Sequence, residues 1–233
     1  MSSWSAQIAD SELVWHRANQ ESDLAAFLAS GVRWAECDAR LDPEGVVRVS
    51  HEPLDGTTEW LELSDWLGAI RSAGRSAKID LKEGGPVIGA ALGSAKGAGF
   101  HDNDLWFNAA VEVLGEAGFR RLRHAHPGAR LSCPLDTLAS YLLVAAPAFS
   151  VIDLFGTWGI NWLCFGSRAL GVATLVRALQ DRGWPVNIWD VEDAECLERA
   201  LSFAPEAITA DLGSIHALWS RPTGSTAGTP AAR

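Results

Sequence analysis

The chain has 233 residues, of which 48% are hydrophobic and 21% are charged, values that exclude a chain disordered throughout. Its net charge of −10 excludes a general electrostatic attraction to nucleic acids or anionic membranes, so phosphate binding is expected only at a local basic pocket. The sequence lacks the features of a signal peptide and any apolar run of the roughly 18 residues that span a bilayer, so we expect a cytoplasmic protein without a transmembrane segment. The four cysteines form no CxxC pair and are expected to be reduced. Eleven tryptophans suggest that several line pockets, because each indole N–H needs a partner.

Eight strand-like segments alternate with segments that have helical spacing of apolar residues. The predicted strands are residues 13–16, 32–39, 77–81, 105–110, 129–133, 162–166, 186–191 and 207–211. The predicted helices are residues 21–30, 63–72, 87–96, 108–117, 135–145, 171–182 and 194–203. This alternation is typical of a parallel sheet, and eight units fit a closed (β/α)8 TIM barrel, an α/β fold of about 250 residues.

The barrel is predicted to occupy residues 13–220 as a single domain, after a lead-in at residues 1–12. Residues 221–233 have no hydrophobic period and are predicted to be a disordered tail. An open doubly wound sheet is the alternative fold, although no glycine-rich turn follows the first strand.

Two acidic residues share one face of the second predicted strand, because residues i and i+2 of a strand point the same way. Inside a barrel, Glu36 and Asp38 would repel each other and lose hydration, and a divalent cation with oxygen ligands removes both penalties. The alternative is a solvated strand edge, which the apolar flanking residues disfavour. On repulsion alone, replacing Asp38 by Asn is expected to leave the fold intact or to stabilise the metal-free protein.

The next strand places Lys78, Asp80 and Lys82 on one face by the same alternation. Asp80 is therefore expected to complete a triad of carboxylates with Glu36 and Asp38. Lys82 is expected to meet a phosphate group as a point charge. A charged strand edge is again the alternative.

Two histidines are predicted at the carboxyl-terminal rim of the barrel, where TIM barrels carry their chemistry. His16 ends the first strand. His51 follows a turn at residues 42–45 and a returning strand at residues 46–50, which bring it back toward Asp38. Two histidines beside carboxylates suit general acid–base catalysis, in which one takes a proton and the other gives one. A structural role is expected for the remaining histidines, His101, His124, His126 and His216.

These motifs resemble the N-terminal signature of the glycerophosphodiester phosphodiesterases, TIM barrels of the PLC-like phosphodiesterase superfamily. The resemblance lies in His16-Arg17, Glu36-x-Asp38, the turn at Gly45 and His51, and in the later segments 186–193 and 208–211. It is closest to the menorin-like branch, through residues 15–19, 78–82, 107–109 and 167–169. Together these segments cover roughly residues 13–212.

The resemblance implies metal-assisted attack on a phosphodiester, in many relatives by a hydroxyl of the substrate itself, which gives a cyclic phosphate first. It implies Mg²⁺ or Ca²⁺ on Glu36, Asp38 and Asp80. It also implies general acid and base roles for His16 and His51, in an order that the sequence leaves open. The implied substrate contacts are phosphate binding by Arg17, Lys82 and Arg168, orientation by Asn19 and Asn108, and a pocket wall from Trp189. Core packing is the alternative for Trp189.

The chain departs from the family pattern in three places. Ala18 follows the His-Arg pair in place of Gly, Asp80 is the third carboxylate in place of Glu, and Glu52 follows the second histidine in place of Asp. The expected partner is a small-molecule, lipid or nucleotide phosphodiester, while the substrate and the oligomeric state are left open.

Two other functions are alternatives. The first is a barrel that binds a phosphorylated ligand without turnover, which the presence of both histidines and all three carboxylates disfavours. The second is a metal-dependent amidohydrolase. That class needs a His-x-His pair on its first strand, and His16 stands alone there.

Overall fold

The structure, a computed structural model, describes residues 11–144, 149–169 and 171–213. Its strands are β1 Glu12–Trp15, β2 Trp34–Leu41, β3 Val47–Val49, β4 Ser76–Leu81, β5 Leu105–Asn108, β6 Arg130–Pro134, β7 Trp162–Gly166, β8 Val186–Val191 and β9 Ala207–Ala210. Its helices are α1 Glu21–Ala29, α2 Leu63–Ser72, α3 Pro86–Gly97, α4 Val111–Ala125, α5 Ala139–Val144, α6 Phe149–Thr157, α7 Val172–Gln180 and α8 Ala194–Ser202. Among the described residues, no helix is long and apolar enough to cross a membrane.

Eight parallel strands close into a barrel. β1 pairs in parallel with both β2 and β9, so the first and last strands of the chain complete the ring. β3 is antiparallel to the far end of β2, with Val49 opposite Ala39, and it carries the chain back toward the rim. The predicted (β/α)8 TIM barrel is confirmed. The alternative of an open sheet is wrong, because an open sheet would leave β1 and β9 unpaired with each other.

Alternation along each strand divides the side chains between the barrel interior and the helical layer. In β2, Ala35, Cys37 and Ala39 are fully buried in the large apolar core. Trp34 of the same strand belongs to a separate apolar cluster inside the barrel, together with Trp106.

Aromatic side chains fill the half of the barrel at the amino-terminal ends of the strands. The guanidinium of Arg130 lies 4.7, 5.2 and 4.6 Å from the ring centres of Trp34, Trp106 and Trp162. Several tryptophans line pockets as expected, among them Trp15, Trp60 and Trp189, whereas Trp66 and Trp106 are fully buried in the core. Two of these indoles find partners in the core: Trp66 donates to the carbonyl oxygen of Ala18 at 2.8 Å and Trp106 to the Ser132 hydroxyl at 2.7 Å.

The predicted strands are all present, with ends that agree to within two residues. The helix predicted at residues 108–117 instead begins at Val111 and reaches Ala125, with a kink at Gly115, whose φ of 59° is not helical. The helix predicted at residues 135–145 is a 3₁₀ turn, Asp136–Leu138, followed by α5. Helix α6 was not predicted, because its exposed side includes Val151 and Leu154 and so blurs the helical period. The predicted tail at residues 221–233 and residues 1–10 of the lead-in lie outside the described residues.

Candidate active site

A cavity of 260 Å³ opens at the carboxyl ends of the barrel strands. All of the site residues predicted from the sequence line this cavity except Asn19 and Arg168. Lys78, Cys164 and Thr209, to which the sequence assigned no role, line it as well. The cavity lies at the end of the barrel where this fold carries its chemistry.

Three carboxylates are brought together by the register of two neighbouring strands. Asp38 of β2 lies opposite Asp80 of β4. Glu36 lies two residues before Asp38 in β2 and so on the same face of the strand. One oxygen from each carboxylate lies within 4.8 Å of the others. Glu36 and Asp38 are only 3% and 1% exposed, so the alternative of a solvated strand edge is wrong.

The electrostatic surroundings of Glu36 and Asp38 differ. Burial and the negative charge of Asp38 raise the pKa of Glu36. Burial would also raise the pKa of Asp38, but the charge and hydrogen bond of Lys82, together with a hydrogen bond from Asn19, lower it below its usual value. Asp38 is therefore a firmly ionised group, and Glu36 is the carboxylate that most needs further positive charge.

Two of the chain's three lysines line this cavity. Lys82 Nζ lies 2.7 Å from Asp38 Oδ1 and 2.6 Å from Asp80 Oδ2, so one ammonium group bridges two carboxylates. Lys78 is buried and donates a hydrogen bond to Thr209 Oγ1 at 2.9 Å. The prediction that Lys78, Asp80 and Lys82 share one face is confirmed, and the alternative of an exposed charged edge is wrong.

Two amides hold the carboxylates in position. Asn19 lies behind Asp38, where its Nδ2 donates to Asp38 Oδ2 at 2.6 Å and its Oδ1 accepts from the Asp38 backbone N–H at 3.0 Å. Asn108 donates to Asp80 Oδ1 at 2.9 Å and accepts from the Ser132 hydroxyl at 2.6 Å. These contacts fix the orientation of both carboxylates before any ligand arrives.

His16 is held by an aspartate from the last strand of the barrel. The pairing of Trp15 with Ala210 brings His16 beside Asp211, and the distance from His16 Nδ1 to Asp211 Oδ1 is 2.7 Å. Since a carboxylate only accepts hydrogen bonds, the His16 Nδ1 carries a proton. Burial would lower the pKa of His16, but the hydrogen bond with Asp211 and the charge of Glu36 outweigh it and raise the pKa.

His51, like His16, meets a carboxylate at Nδ1, and it has a second partner at Nε2. Its Nδ1 donates to Glu52 Oε1 at 2.7 Å, and its Nε2 accepts from the Arg17 guanidinium at 3.2 Å. Because a guanidinium group only donates, this contact requires a lone pair on His51 Nε2. The guanidinium of Arg40 donates to the His51 backbone carbonyl at 2.9 and 3.1 Å, which anchors the segment that returns from β3.

Arg17 connects the histidines to the carboxylates. Its φ of 50° lies in the left-handed region, which residues other than glycine rarely adopt. In this conformation its backbone N–H donates to Glu36 Oε2 at 2.8 Å while its side chain reaches His51. Such backbone strain is characteristic of functional sites, where the surrounding structure holds it in place.

The three departures from the resembled family are accommodated. Ala18 is fully buried in the apolar core. Asp80 reaches the carboxylate cluster although its side chain is one methylene shorter than Glu. Glu52 supplies the hydrogen bond to His51 Nδ1.

The cavity also has an apolar wall. The apolar side chains that line it are Leu81, Ala110, Val113, Pro134 and Trp189. The Trp189 indole N–H donates to Asp136 Oδ2 at 3.3 Å, and Asp136 Oδ1 accepts from the Gly166 backbone N–H at 2.7 Å. The alternative that Trp189 packs in the core is therefore wrong, since its indole is held against the cavity.

Arg168 lies outside the cavity, and its predicted role there is corrected. Its side chain is 59% exposed and pairs with Glu192 at 3.0 Å, and it does not line the cavity. Asp211 and Asp136 are the partners that the sequence analysis missed. A signal for Asp211 exists, because it follows the last strand and a closed barrel places that strand beside the one that leads to His16.

The donor set of the cluster fits a hard divalent cation. Glu36, Asp38 and Asp80 each offer a carboxylate oxygen, the ligand type that Mg²⁺ and Ca²⁺ prefer. The cluster contains no sulfur or imidazole donor of the kind typical of zinc sites.

A scan against protein-family models and a search of curated proteins find no match to this chain. Solved structures with a similar fold include a glycerophosphodiester phosphodiesterase from Parabacteroides distasonis, with a TM-score of 0.70, 15% identity, and coverage of 91% of this chain and 98% of that one. A phosphodiesterase from Oleispira antarctica, in complex with its product sn-glycerol-3-phosphate, has a TM-score of 0.70, 14% identity, and coverage of 90% and 95%. A glycerophosphodiester phosphodiesterase from Thermotoga maritima has a TM-score of 0.57, 17% identity, and coverage of 90% and 98%. At these identities the likeness establishes the fold: the chain has the TIM-barrel architecture of these phosphodiesterases.

Proposed function

We propose that this protein is a metal-dependent phosphodiesterase. The observation that carries the proposal is the convergence, in one cavity, of three carboxylates suited to a cation with two histidines, His16 and His51, each held at Nδ1 by a carboxylate. The shared fold with solved phosphodiesterases supports the same reaction class.

Glu36, Asp38 and Asp80 would hold the cation, which when bound supplies charge stabilisation to the phosphate oxygens. Arg17 and Lys82 line the same cavity and would offer positive charge to the phosphate. Titration of the protein with Mg²⁺ and Ca²⁺ separately distinguishes the two metals that the resemblance implies.

The two histidines receive different roles from their partners. His51 presents a lone pair on Nε2 and takes the proton of the attacking hydroxyl. That hydroxyl belongs to water or to the substrate itself, and in the second case the first product is a cyclic phosphate. His16, whose Nδ1–H is held by Asp211, donates the proton from Nε2 to the oxygen of the leaving alcohol.

Leaving groups of different acidity test this assignment. On a diester of a simple alkyl alcohol, His16→Ala and His51→Ala should each lower kcat about 10²–10⁴-fold. A p-nitrophenolate leaving group needs little protonation, so it should restore most of the rate to His16→Ala and little to His51→Ala. The reverse pattern would exchange the two roles. Near wild-type rates for both variants on every diester would refute acid–base catalysis by this pair.

The proposed substrates are small-molecule, lipid or nucleotide phosphodiesters, in a cytoplasmic setting. The glycerophosphate product bound to the Oleispira antarctica enzyme supports a ligand of this size. A panel of lipid, nucleotide and cyclic nucleotide diesters, followed by ³¹P NMR, identifies the substrate class and separates a cyclic product from full hydrolysis. The resemblance to the menorin-like branch stays a prediction. A phosphate-binding barrel without turnover, the alternative function, would bind a phosphomonoester and cleave no diester in the panel.

A further inference from the structure

The ammonium group of Lys82 lies between two of the carboxylates that would hold a cation. Its Nζ is 2.7 Å from Asp38 Oδ1 and 2.6 Å from Asp80 Oδ2, at the short end of the range for charge-assisted hydrogen bonds. A divalent cation takes carboxylate oxygens at roughly 2.0–2.6 Å and so needs the same lone pairs. The ammonium group and the cation are therefore competitors for Asp38 and Asp80.

The two lysines of the cavity differ in how they are held. Lys78 is 3% exposed, donates to Thr209 at 2.9 Å, and lies 4.9 Å from the ring of Trp106, so it is fixed inside the barrel. Lys82 follows the last residue of β4, and its side chain is 22% exposed. Within the described residues, its ammonium group is held by Asp38 and Asp80. Its long, flexible stem therefore permits it to leave the carboxylates for the open side of the cavity.

The charges of the site favour such a movement. Without a cation, Lys78, Lys82 and Arg17 balance the three carboxylates of the cluster. If a divalent cation entered while Lys82 stayed in place, two positive centres would face each other across a few ångströms in a largely buried site. Moving Lys82 outward relieves this repulsion and places its charge where a phosphate group would bind.

We infer that Lys82 is an exchangeable internal cation: it neutralises Asp38 and Asp80 in the metal-free protein, and an entering divalent cation displaces it toward the phosphate. Metal binding would then prepare the phosphate site, so that metal precedes substrate. The inference rests on the proposed function for the presence of a metal, and metal binding measured without substrate tests it separately.

Calorimetric titration of the full chain with Mg²⁺, Ca²⁺ and Mn²⁺ tests the competition. Lys82→Met keeps the apolar stem and removes the ammonium group, so its metal affinity should rise about tenfold or more, within the range of coupling between two ligands of one protein. Lys82→Arg keeps a charge that can bind both carboxylates, so its affinity should equal or fall below that of the wild type. Lys96→Met, on the exposed surface of α3, is the matched control and should leave the affinity unchanged.

Thermal melts separate competition from a purely structural role. Without metal, Lys82→Met should melt below the wild type because Asp38 and Asp80 then repel each other, and added metal should restore the loss. A loss that metal does not restore would make Lys82 a structural residue and overturn the inference. Unchanged or weaker metal affinity in Lys82→Met would also overturn it, as would a wild-type protein that binds none of the three metals.

Lysine labelling provides a readout that needs no variant. The chain has three lysines, so acetylation by an N-hydroxysuccinimide ester can be followed at each one by mass spectrometry. Added Mg²⁺ should accelerate labelling of Lys82 and leave the exposed Lys96 unchanged, while Lys78 stays protected. Equal labelling of Lys82 with and without a bound metal would refute the displacement. If displacement is observed and no diester is cleaved, only the proposed function fails.

Discussion

Glu36→Gln and Asp38→Asn each remove one negative charge from the same face of β2, and we expect them to change the free energy of unfolding of the metal-free protein in opposite directions. Burial and the charge of Asp38 raise the pKa of Glu36, so its ionised form opposes folding at pH 8. Gln at this position can still accept the Arg17 backbone N–H that Glu36 accepts at 2.8 Å. Glu36→Gln should therefore stabilise the protein by about 0.5–2 kcal/mol, the usual range for a favourable single substitution.

Asp38→Asn should destabilise the metal-free protein. The new amide can still accept from Asn19, but its NH₂ group would face Lys82, which loses a carboxylate partner at 2.7 Å. Because Lys82 keeps Asp80 at 2.6 Å, the loss is that of one hydrogen bond to a charged group, about 1.5–3 kcal/mol. This loss is smaller than the roughly 3–5 kcal/mol expected when a buried ion pair is broken completely. These contacts reverse the expectation drawn from repulsion alone.

The pKa shifts give each effect its own pH window. A raised pKa means that Glu36 disfavours folding above its folded-state pKa, and this cost disappears as the pH falls below its ordinary pKa. The benefit of Glu36→Gln should therefore vanish in acid. A lowered pKa means that the stabilisation from Asp38 is present above its ordinary pKa and is lost as the pH falls through its folded-state pKa. The cost of Asp38→Asn should shrink in that lower range.

Urea unfolding followed by tryptophan fluorescence, in EDTA and between about pH 2 and pH 8, covers both pH windows. Glu198→Gln, on the exposed side of α8, is the control for a change in net charge alone. Saturating Mg²⁺ should stabilise the wild type by about 2.7 kcal/mol at 100 times its Kd, and both variants should lose most of this gain. Shifts of the same sign for both variants at pH 8 in EDTA would refute the reasoning.

Three further predictions follow from other contacts of the site. Asp211→Asn keeps a hydrogen-bond acceptor for His16 but removes the negative charge that helps raise the pKa of His16. The stability from this charge is present below the ordinary histidine pKa and lost above the folded-state pKa, so thermal melts should show a larger loss at pH 5 than at pH 8, and equal losses would contradict it. Trp189→Ala should raise KM about tenfold for diesters of aromatic alcohols and leave KM for methyl diesters nearly unchanged in steady-state assays. An equal rise of KM for both kinds of diester would show that Trp189 does not contact the alcohol. Arg168→Ala should keep kcat/KM within about twofold of the wild-type value, because the Arg168 side chain pairs with Glu192 outside the cavity. A tenfold loss would show that Arg168 takes part in the reaction.

The carboxylate cluster could be predicted from the sequence because it depends on two local rules. Alternation places Glu36 and Asp38 on one face, and consecutive strands of a βαβ unit are neighbours, which brings Asp80 beside them. His51 was predictable for a similar reason, since a short turn and a returning strand fix where the chain comes back.

The partners of these residues could not be predicted in the same way. His16 meets Asp211 across 195 positions of sequence, and this contact exists only because the barrel closes between β1 and β9. Alternation places Lys82 on the interior face, but its contacts with Asp38 and Asp80 depend on the side-chain conformation. The role predicted for Arg168 is wrong for the same reason, because its position after β7 does not determine the conformation of its side chain.

The central claim is that the cavity at the carboxyl end of the barrel is a metal-dependent phosphodiesterase site. The most direct test is the rate of bis(p-nitrophenyl) phosphate hydrolysis as Mg²⁺ or Ca²⁺ is titrated into EDTA-treated wild type, Asp80→Asn and the control Arg168→Ala. We expect the wild type and Arg168→Ala to gain activity that saturates with metal and is abolished again by EDTA, while Asp80→Asn stays near the uncatalysed rate. Hydrolysis that is indifferent to EDTA, or that is as fast in Asp80→Asn as in the wild type, would contradict the account.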